Sequence, residues 1–460
     1  MKIYPDYKSI DQLWLEEIPG EWQTIKIKYA FEERSEKGYP DEPLLVASQN
    51  MGVVPKSLYG NRTVEAQKDL HLLKLVRIGD FVISLRSFQG GIEYAYYQGI
   101  ISPAYTIMVS KGILTSGYFR YLAKSHSFIE LLKSCVTGIR EGQNIDYSKL
   151  KNYRIPVPPC PEQDQIVRFL DWKVSSINKL ISIKKRQIVL LKEQENQSIS
   201  HIVLHGLHGS LLKDSGNRWV GNIPIDWDTI KLGRFCSFQN GISESGEFFT
   251  SGTPFVGYGD VYRHLELPET VSGVAQSNEQ QQEVFSVREG DIFFTRTSEN
   301  IEEIGMAAVC RHTIKKAVFS GFVIRCRPRI ALVDIDYMKY YLQIPAIRNH
   351  FSSMMNIVIR ASLGQNLLKQ MPVVIPPMTE QKEIATYLDV QHSKYTVLIG
   401  TIQKEIQALD ELKTRLISDI VTGKIDVRDI EIPEYEFVEE PDLAGVNDEQ
   451  DYKDSTEEKE

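Results

Sequence analysis

The sequence predicts an α+β protein: two mixed α/β globules joined by two long antiparallel coiled-coil helices, arranged as a pseudo-twofold internal repeat. Three observations predict this fold class. Two segments recur in each half of the 460-residue chain. The interiors between them have the composition of small sheets, and a long stretch with heptad spacing of apolar residues follows each interior.

The repeat is visible as two pairs of matching segments. Residues 14–26 match residues 219–231 with seven identities, which include Trp-x-x-x-Ile-Pro-x-x-Trp. Residues 158–171 match residues 376–389 with seven more, which include Pro-Pro-x-x-Glu-Gln. The first pair is offset by 205 residues and the second by 218, so the intervening lengths differ. We infer that each half keeps a constant frame around a variable interior.

The variable interiors contain short β-branched and aromatic runs that are bounded by Gly and Asp. Asp80–Leu85 and Asp291–Thr295 are examples, and each follows a Val-Arg-x-Gly turn. Such runs are typical of strands. Each interior is therefore interpreted as one mixed α/β globule of about 150 residues, an ordinary size for one domain.

The segments after the Pro-Pro pairs predict long helices. From about Pro161 to His205 no internal Gly or Pro interrupts the chain, and Gly206 and Gly423 stand where helices would end. Some 40 residues make a rod about 60 Å long. Each rod has one apolar stripe, and antiparallel packing of the two rods buries both stripes, with the globules at opposite ends. The apolar positions are Ile166, Leu170, Val174, Ile177, Ile181, Ile188, Leu191 and Ile202, then Ile384, Leu388, Tyr395, Leu398, Ile402, Leu409, Leu412 and Leu416.

These elements predict five domains along the chain. They are a globule (1–158), a helix (159–206), a second globule (207–377), a second helix (378–427) and an acidic tail (428–460).

The net charge of −8 argues against nucleic-acid binding only when the whole chain is counted. Residues 429–460 hold 14 acidic and 2 basic residues, which is −12, so the rest of the chain carries +4. We expect the tail to be disordered and solvated and the body to be near neutral.

No catalytic, metal or membrane element emerges from the sequence. No stretch approaches the roughly 18 consecutive apolar residues of a membrane-spanning helix, and the phosphate-binding and dinucleotide-binding glycine motifs do not occur. The N-terminus has no apolar signal segment, and five cysteines without a CxxC pair suit a reducing cytoplasm. His201, His205 and His208 are the best metal suspects, but a helix C-terminus also favours imidazoles, so no metal is expected.

In this order of parts, the sequence resembles a specificity subunit of a type I restriction–modification system. The resemblance rests on the alternation of globule and helix, on Pro-Pro-x-x-Glu-Gln at the start of both helices, and on Trp-x-x-x-Ile-Pro-x-x-Trp before both globules. Residues 416–427, Leu-Ile-Ser-Asp-Ile-Val-Thr-Gly-Lys-Ile-Asp-Val, close the second helix in the manner of this family. The first helix departs from that pattern, since it ends in His-Ile-Val-Leu-His-Gly.

The resemblance implies two target recognition domains, each reading one half of an asymmetric bipartite target in double-stranded DNA. It also implies that the paired helices dock two methyltransferase subunits and that restriction (nuclease/translocase) subunits complete the complex. Adenine N6-methylation and ATP-dependent cleavage would belong to these partners, which use S-adenosylmethionine, ATP and Mg²⁺. The chain itself is then expected to be no enzyme, to hold no cofactor and to work in a prokaryotic cytoplasm. The candidate partner-docking frame is Glu162, Gln163, Glu380 and Gln381.

Contacts to DNA are expected from polar and basic side chains in loops. One candidate loop follows the strand that starts at Asp80, and its counterpart occupies the same place in the second half. The candidates are Ser84, Arg86, Ser87, Gln89, Thr295, Arg296, Thr297, Ser298 and Asn300. Arg86 and Arg296 are the preferred readers, although a solvated loop residue or an internal ion pair is an equal alternative for each. The Gly-Gln-Asn turns at 142–144 and 364–366 are weaker candidates because both halves share them.

A second class of function stays open at this point. The chain could be a coiled-coil interaction scaffold whose two globules bind a ligand other than DNA, such as a peptide or a carbohydrate. A body of charge +4 is compatible with both classes. The Pro-Pro-x-x-Glu-Gln frame favours the DNA specificity subunit.

Overall fold

The chain divides into two compact units, and each unit contains one globule and parts of both long helices. The structure, a computed structural model, describes residues 2–10, 12, 14–49, 51–59, 69–85, 87–137, 144–244, 246–298, 304–354 and 361–438. The first unit comprises residues 1–186 with 402–460, and the second comprises residues 187–401. The boundary between the units divides both long helices, because each half helix packs with a different globule. The prediction of each helix as a domain of its own stays a prediction.

The first unit is built from short strands and short helices that precede one long helix. Its strands in the described residues are β1 (Tyr7–Ser9), β2 (Glu17–Pro19), β3 (Gln23–Lys26), β4 (Phe31–Arg34), β5 (Leu45–Ser48), β6 (Gly52–Pro55), β7 (Lys74–Val76), β8 (Phe81–Ile83), β9 (Glu93–Tyr94), β10 (Gly99–Ile101), β11 (Thr106–Ser110), β12 (Val136–Thr137), β13 (Asn144–Ile145) and β14 (Arg154–Val157). Its helices are α1 (Ile27–Ala30), α2 (Ser87–Gly90), α3 (Ser116–Leu122), α4 (His126–Ser134), α5 (Tyr147–Leu150) and the first part of α6 (Cys160–His205).

The second unit repeats this plan. Its strands in the described residues are β15 (Leu212–Asp214), β16 (Asn222–Pro224), β17 (Asp228–Lys231), β18 (Cys236–Asn240), β19 (Thr253–Val256), β20 (Gly273–Ala275), β21 (Ile292–Thr295), β22 (Thr297–Ser298), β23 (Ala307–Val309), β24 (Val318–Phe319), β25 (Val323–Pro328), β26 (Ala361–Ser362) and β27 (Pro372–Ile375). Its helices are α7 (Tyr258–Tyr262), α8 (Glu279–Val284), α9 (Ile335–Tyr341), α10 (Pro345–Met354), α11 (Gln365–Gln370) and the first part of α12 (Met378–Val421).

Each globule is centred on a four-stranded antiparallel sheet of the same order. The first sheet runs β4-β11-β8-β9 and the second runs β18-β25-β21-β23. In the first sheet, Met108 lies opposite both Glu33 and Phe81. In the second, Cys326 lies opposite Phe238 and Ile292 in the same way. The strands of the two sheets therefore correspond one to one, and the fold class predicted from the sequence is confirmed.

A buried aspartate at the start of β8 and of β21 explains the Val-Arg-x-Gly-Asp echo. The Asp80 carboxylate accepts a hydrogen bond from the backbone N–H of Arg77 at 2.7 Å, and Asp291 accepts one from Arg288 at 2.8 Å. A guanidinium also pairs with each carboxylate, as Arg327 Nε does with Asp291 Oδ1 at 2.6 Å. The echo is therefore a structural turn that starts the central strand of each sheet.

The two long helices are antiparallel in the first unit. Asn178 of α6 lies 3.5 Å from Lys413 Nζ of α12, and Lys184 Nζ lies 2.6 Å from Glu405. Residue numbers rise along α6 while they fall along α12, which is the mark of antiparallel packing. Ile177 of α6 is buried in the same apolar cluster as residues of α12. Among the described residues, no helix combines the length and the apolar character that crossing a membrane requires.

The second unit contains the other half of each helix. Glu195 Oε1 of α6 lies 2.7 Å from Nδ1 of His392 on α12. Ile202 of α6 and Ile384 and Leu388 of α12 share one buried cluster with the globule of this unit. Each globule therefore packs against the beginning of one long helix and the end of the other.

Both long helices end at a glycine with left-handed backbone, as the sequence predicted. Gly206 has φ +79° and Gly423 has φ +80°, a region that side chains with a Cβ rarely adopt. A Cβ on Gly423 would lie 2.3 Å from Pro19 Cδ, and one on Gly206 would lie 2.8 Å from a Glu380 oxygen. Each glycine therefore also lets the helix end approach the frame of its unit closely.

The first residues of the predicted tail pack in the first unit. Residues 428–460 were expected to be disordered and solvated, but residues 428–438 lie along α6. Ser175 Oγ donates to Glu436 O at 2.9 Å and accepts from Val438 N at 2.7 Å, while Gln165 Nε2 donates to Val427 O at 3.0 Å. The prediction counted charges and overlooked the alternating apolar residues Ile430 and Ile432, which pack against the apolar cluster of the unit.

Candidate nucleic-acid interface

The glutamates that open the long helices hold a buried tryptophan of their own unit. Trp22 Nε1 donates to Glu162 Oε1 at 3.0 Å, and Trp227 Nε1 donates to Glu380 Oε2 at 2.9 Å. Both indoles are almost completely buried, at 0% and 1% exposure. The two repeated segments of each half are far apart in the chain, and they meet in this one contact.

The glutamines beside them hold the start of a short helix in the globule. Gln163 Oε1 accepts from Thr115 N at 2.8 Å, and Gln381 Oε1 accepts from Asp334 N at 2.7 Å. Thr115 and Asp334 are the N-cap residues of α3 and α9, so each glutamine fixes the orientation of a helix that packs on the long one. These amide and carboxylate groups act within each unit. A docking role for this frame toward partner subunits stays a prediction.

A tyrosine in each of these short helices reaches the end of the other long helix. Tyr118 OH donates to Val421 O of α12 at 2.8 Å, and Tyr337 OH donates to Val203 O of α6 at 3.3 Å. Burial raises the pKa of both tyrosines well above its usual range, so both hydroxyls stay protonated and can donate. The globule is therefore tied to both long helices by hydrogen bonds of the same kind in the two units.

An aspartate about two turns further along each long helix completes the attachment. Asp171 accepts from a basic residue and a tyrosine of α3, and Asp389 does the same with α9. Burial raises the pKa of Asp389, but hydrogen bonds from Lys339 and Tyr340 outweigh it and lower the pKa below its usual value. The donors are Arg120 Nη2 (2.9 Å) and Tyr121 OH (2.6 Å), then Lys339 Nζ (2.6 Å) and Tyr340 OH (2.7 Å).

The predicted reading loops lie at equivalent ends of the two sheets. Ser84 directly follows β8, and Thr295 is the last residue of β21, the corresponding strand. Arg296 is the next residue after Thr295. We call this part of each globule the sheet end. In the first unit, the sheet end comprises the residues just after β8 and those just before β11. In the second unit, it comprises the residues just after β18, those just after β21 and those just before β25.

In the first unit, two of the candidate serines serve the fold. Ser84 N donates to Ser87 Oγ at 2.8 Å, and Ser87 is buried at the start of α2. This is a local turn of the kind that serine side chains commonly stabilise. Gln89 is exposed and available for contact, whereas Arg86 lies outside the described residues.

In the second unit, Thr295 is also a structural residue. It is fully buried, and its Oγ1 accepts from Met306 N at 3.0 Å. Thr297 follows on the short strand β22, and the backbone of Ser298 pairs with Ala361. Asn300 lies outside the described residues. Thr295 is therefore a poor candidate for a base contact, since its side chain is enclosed by the sheet.

Arg296 is half exposed at the sheet end, and its backbone is fixed on both sides. Its N–H donates to Phe322 O at 2.9 Å, and its carbonyl accepts from Leu363 N at 2.7 Å. The guanidinium also reaches Gly321 O at 3.3 Å. A cationic side chain on a rigid backbone can contact a phosphate or the acceptor edge of guanine.

Three residues that the loop prediction did not include lie beside Arg296. Phe322 precedes β25 and is 59% exposed. Asn240 ends β18, and its Oδ1 accepts from Gln365 Nε2 at 2.9 Å. Gln365 belongs to a Gly-Gln-Asn turn considered only a weak candidate, and Asn240 and Phe322 had no motif to mark them. Only contacts between segments distant in sequence bring together the end of β18, the turn before β25 and the start of α11.

The histidines suspected of binding metal form a helix end. His205 Nδ1 lies 3.0 Å from His201 O, one turn earlier in α6, and the two rings are 4.8 Å apart. No group of three or more His, Cys, Asp or Glu side chains that could hold a metal occurs within the part of the chain that the structure describes.

Comparison with protein families finds one match in each half of the chain. The model of the type I restriction modification DNA specificity domain matches residues 19–193 and again residues 224–408. The two matches cover most of the chain and start near Trp22 and Trp227, the tryptophans of the frame.

Two relatives of the chain are specificity subunits of type I restriction enzymes. The specificity subunit of the type I restriction enzyme MjaVIII of Methanocaldococcus jannaschii is 22% identical, with 90% of this chain and 95% of that protein aligned. The EcoKI specificity subunit of Escherichia coli K12 is 21% identical over 72% of this chain and 69% of its own. A solved chain from a study of complex assembly in the type I R-M system covers 89% of this chain and 99% of its own, with 14% identity and a TM-score of 0.65. At that identity, the structural likeness concerns the fold.

Proposed function

The chain belongs to the family of type I restriction modification DNA specificity domains, and we propose that it is the non-catalytic, sequence-specific DNA-binding subunit of a type I complex. Each recognition domain reads one half of an asymmetric bipartite target. The subunit thereby directs adenine N6-methylation and ATP-dependent cleavage, which partner subunits perform with S-adenosylmethionine, ATP and Mg²⁺. We place this complex, with two methyltransferase subunits and its restriction subunits, in the cytoplasm of a prokaryotic cell.

One observation carries the proposal that the two domains read different half-sites. The two units share the frame contacts of Trp22 and Trp227 almost atom for atom. At the sheet end, however, Arg296 of the second unit corresponds to Leu85 of the first, since each lies at the same distance along the chain from the buried aspartate, Asp291 or Asp80. Two domains that are attached in the same way but differ at the sheet end would present two different surfaces to DNA.

The experiment is co-expression with the methyltransferase of the same type I system, followed by mapping of N6-methyladenine across the host genome. We expect one split motif that is methylated in both halves. Absence of new methylation, with both subunits soluble and assembled, would contradict the proposal. Assembly with partners but no preference for any DNA sequence would instead favour the scaffold with globules that bind another ligand.

A domain exchange tests the assignment of one half-site to each unit. Replacement of residues 1–158 by the first globule of another specificity subunit should change one half of the motif only. Replacement of residues 207–377 should change the other half only and serves as the matched control. If either exchange altered both halves, the modular assignment would fail.

A further inference from the structure

The turn that precedes β25 in the second unit has an exact structural counterpart in the first. Phe322 N donates to Ser320 Oγ at 3.2 Å, and Ala104 N donates to Ser102 Oγ at 3.3 Å. The following residue closes each turn. Val323 N donates to Ser320 O at 3.0 Å, and Tyr105 N donates to Ser102 O at 3.1 Å. Phe322 and Ala104 therefore occupy the same position in the two recognition domains.

The fold does not need an aromatic ring at this position. Ala104 makes the same backbone hydrogen bond in the same turn, so the turn forms without a large side chain. Phe322 is 59% exposed, and transfer of such apolar surface out of water is favourable once a partner covers it. Single exposed apolar residues are common, so the argument depends on how this ring is held.

The backbone around Phe322 is held on all sides. Phe322 O accepts from Arg296 N at 2.9 Å, and Gly321 N donates to Ile242 O at 2.7 Å. A Cβ on Gly321 would lie 2.1 Å from Ser243 Oγ, so this turn packs directly on the loop after β18. The backbone that carries the ring is thus fixed beside Arg296, and it need not be reordered when the ring contacts a ligand.

We propose that Phe322 is a specificity-determining residue that contacts the 5-methyl group of a thymine in the half-site read by the second unit. Thymine is the base whose major-groove edge carries an apolar group, and phenylalanine is among the side chains that contact it. Arg296 beside it supplies the cationic contact to guanine or phosphate that usually accompanies such readout. The first unit, with Ala104 at this position, lacks the ring. This inference rests on the proposed function.

The test measures binding of the full chain, assembled with its methyltransferase, to duplexes that carry the mapped target. Each thymine of the second half-site, on either strand, is replaced singly by deoxyuridine, which lacks only the methyl group. We expect one replacement to weaken binding about fourfold, the factor that corresponds to about 0.8 kcal/mol for one buried methyl or methylene group. The Phe322→Ala variant should bind the duplex with thymine and the duplex with deoxyuridine at that position equally. The Phe322→Leu variant should keep part of the preference for thymine.

Ile330→Ala is the matched control, since Ile330 is 57% exposed but follows the opposite end of β25. It should discriminate as the unaltered protein does. The proposal is overturned if no deoxyuridine weakens binding, or if Phe322→Ala still discriminates. It is also overturned if 2-aminopurine fluorescence shows base unstacking that needs Phe322, because the ring would then act as a wedge. An unaltered complex that prefers its target no more than a scrambled duplex would contradict the proposed function itself.

Discussion

The two recognition domains are attached to the long helices in the same way, but they differ at the sheet end. In both, a buried tryptophan, Trp22 or Trp227, donates to the glutamate that opens a long helix. At the sheet end, the same turn presents Ala104 in one unit and an exposed Phe322 in the other. The residues that hold a domain are thus separate from those that face outward. A domain of this kind can change its ligand without loosening its attachment.

The two units also differ along the long helices. Ser175 of α6 is buried under residues 436–438 of the C-terminal segment. Its counterpart in the repeat, Ser393 of α12, is exposed, as is Val390 one turn earlier. The two units therefore share the same frame contacts, and within residues 361–438 the end of the chain is an additional packing element of the first unit.

The largest effect is expected from breaking the shared frame. Trp22→Ala and Trp227→Ala should each cost about 3–5 kcal/mol, the usual range for an aromatic core truncation. Hydrogen exchange read by mass spectrometry should show faster exchange mainly in the unit that carries the substitution. Trp219→Ala, at a half-buried position of the same motif, is the control with a smaller effect. If one substitution accelerated hydrogen exchange equally in both units, the two attachments would not be independent.

An intermediate effect should distinguish the two helix ends. Alanine at Gly423 or Gly206 must adopt a left-handed backbone, which costs about 1–2 kcal/mol. Gly423→Ala should cost more, because its Cβ meets the rigid ring of Pro19 at 2.3 Å, whereas that of Gly206→Ala meets a movable Glu380 oxygen at 2.8 Å. Denaturant unfolding of the two variants measures the difference. An equal or larger loss for Gly206→Ala would contradict this reasoning.

The smallest effect concerns the C-terminal segment. Ser175→Ala removes two hydrogen bonds to residues 436 and 438 and should cost about 1–2 kcal/mol. Ser393→Ala, at the exposed equivalent position, should change the free energy of unfolding by about 0.5 kcal/mol or less. Limited proteolysis should cut the chain after residue 427 faster in Ser175→Ala only. Unchanged proteolysis would mean that other contacts hold the segment.

Much of the frame could be predicted because its signals are local or repeated. The start of α6 at Cys160 and its end at Gly206 lie within a residue or two of the expected positions, since proline and glycine mark helix ends by their backbone preferences. The roles of Glu162 and Gln163 could not be predicted in this way. Their partners, Trp22 and Thr115, are distant in sequence, so a docking surface was an equally consistent interpretation.

The sheet end was predicted only in part. The loop after β21 was located correctly by its strand pattern, but burial of Thr295 depends on the strands on either side of it. The sequence did not predict a role for Phe322, because β25 has no sequence match in the first half. Its equivalence with Ala104 appears only in the hydrogen bonds of the two turns.

The sequence by itself determined the repeat, the two long helices and the family, because apolar periodicity and short motifs act through local geometry and recur in both halves. The tertiary structure alone decided which polar side chains are enclosed and which are presented. That choice depends on contacts such as Trp22 with Glu162 and the turn of Phe322 beside Arg296, which form between segments that are far apart in the chain. Burial and hydrogen bonding are properties of that assembled surface, and no single segment of the sequence contains them.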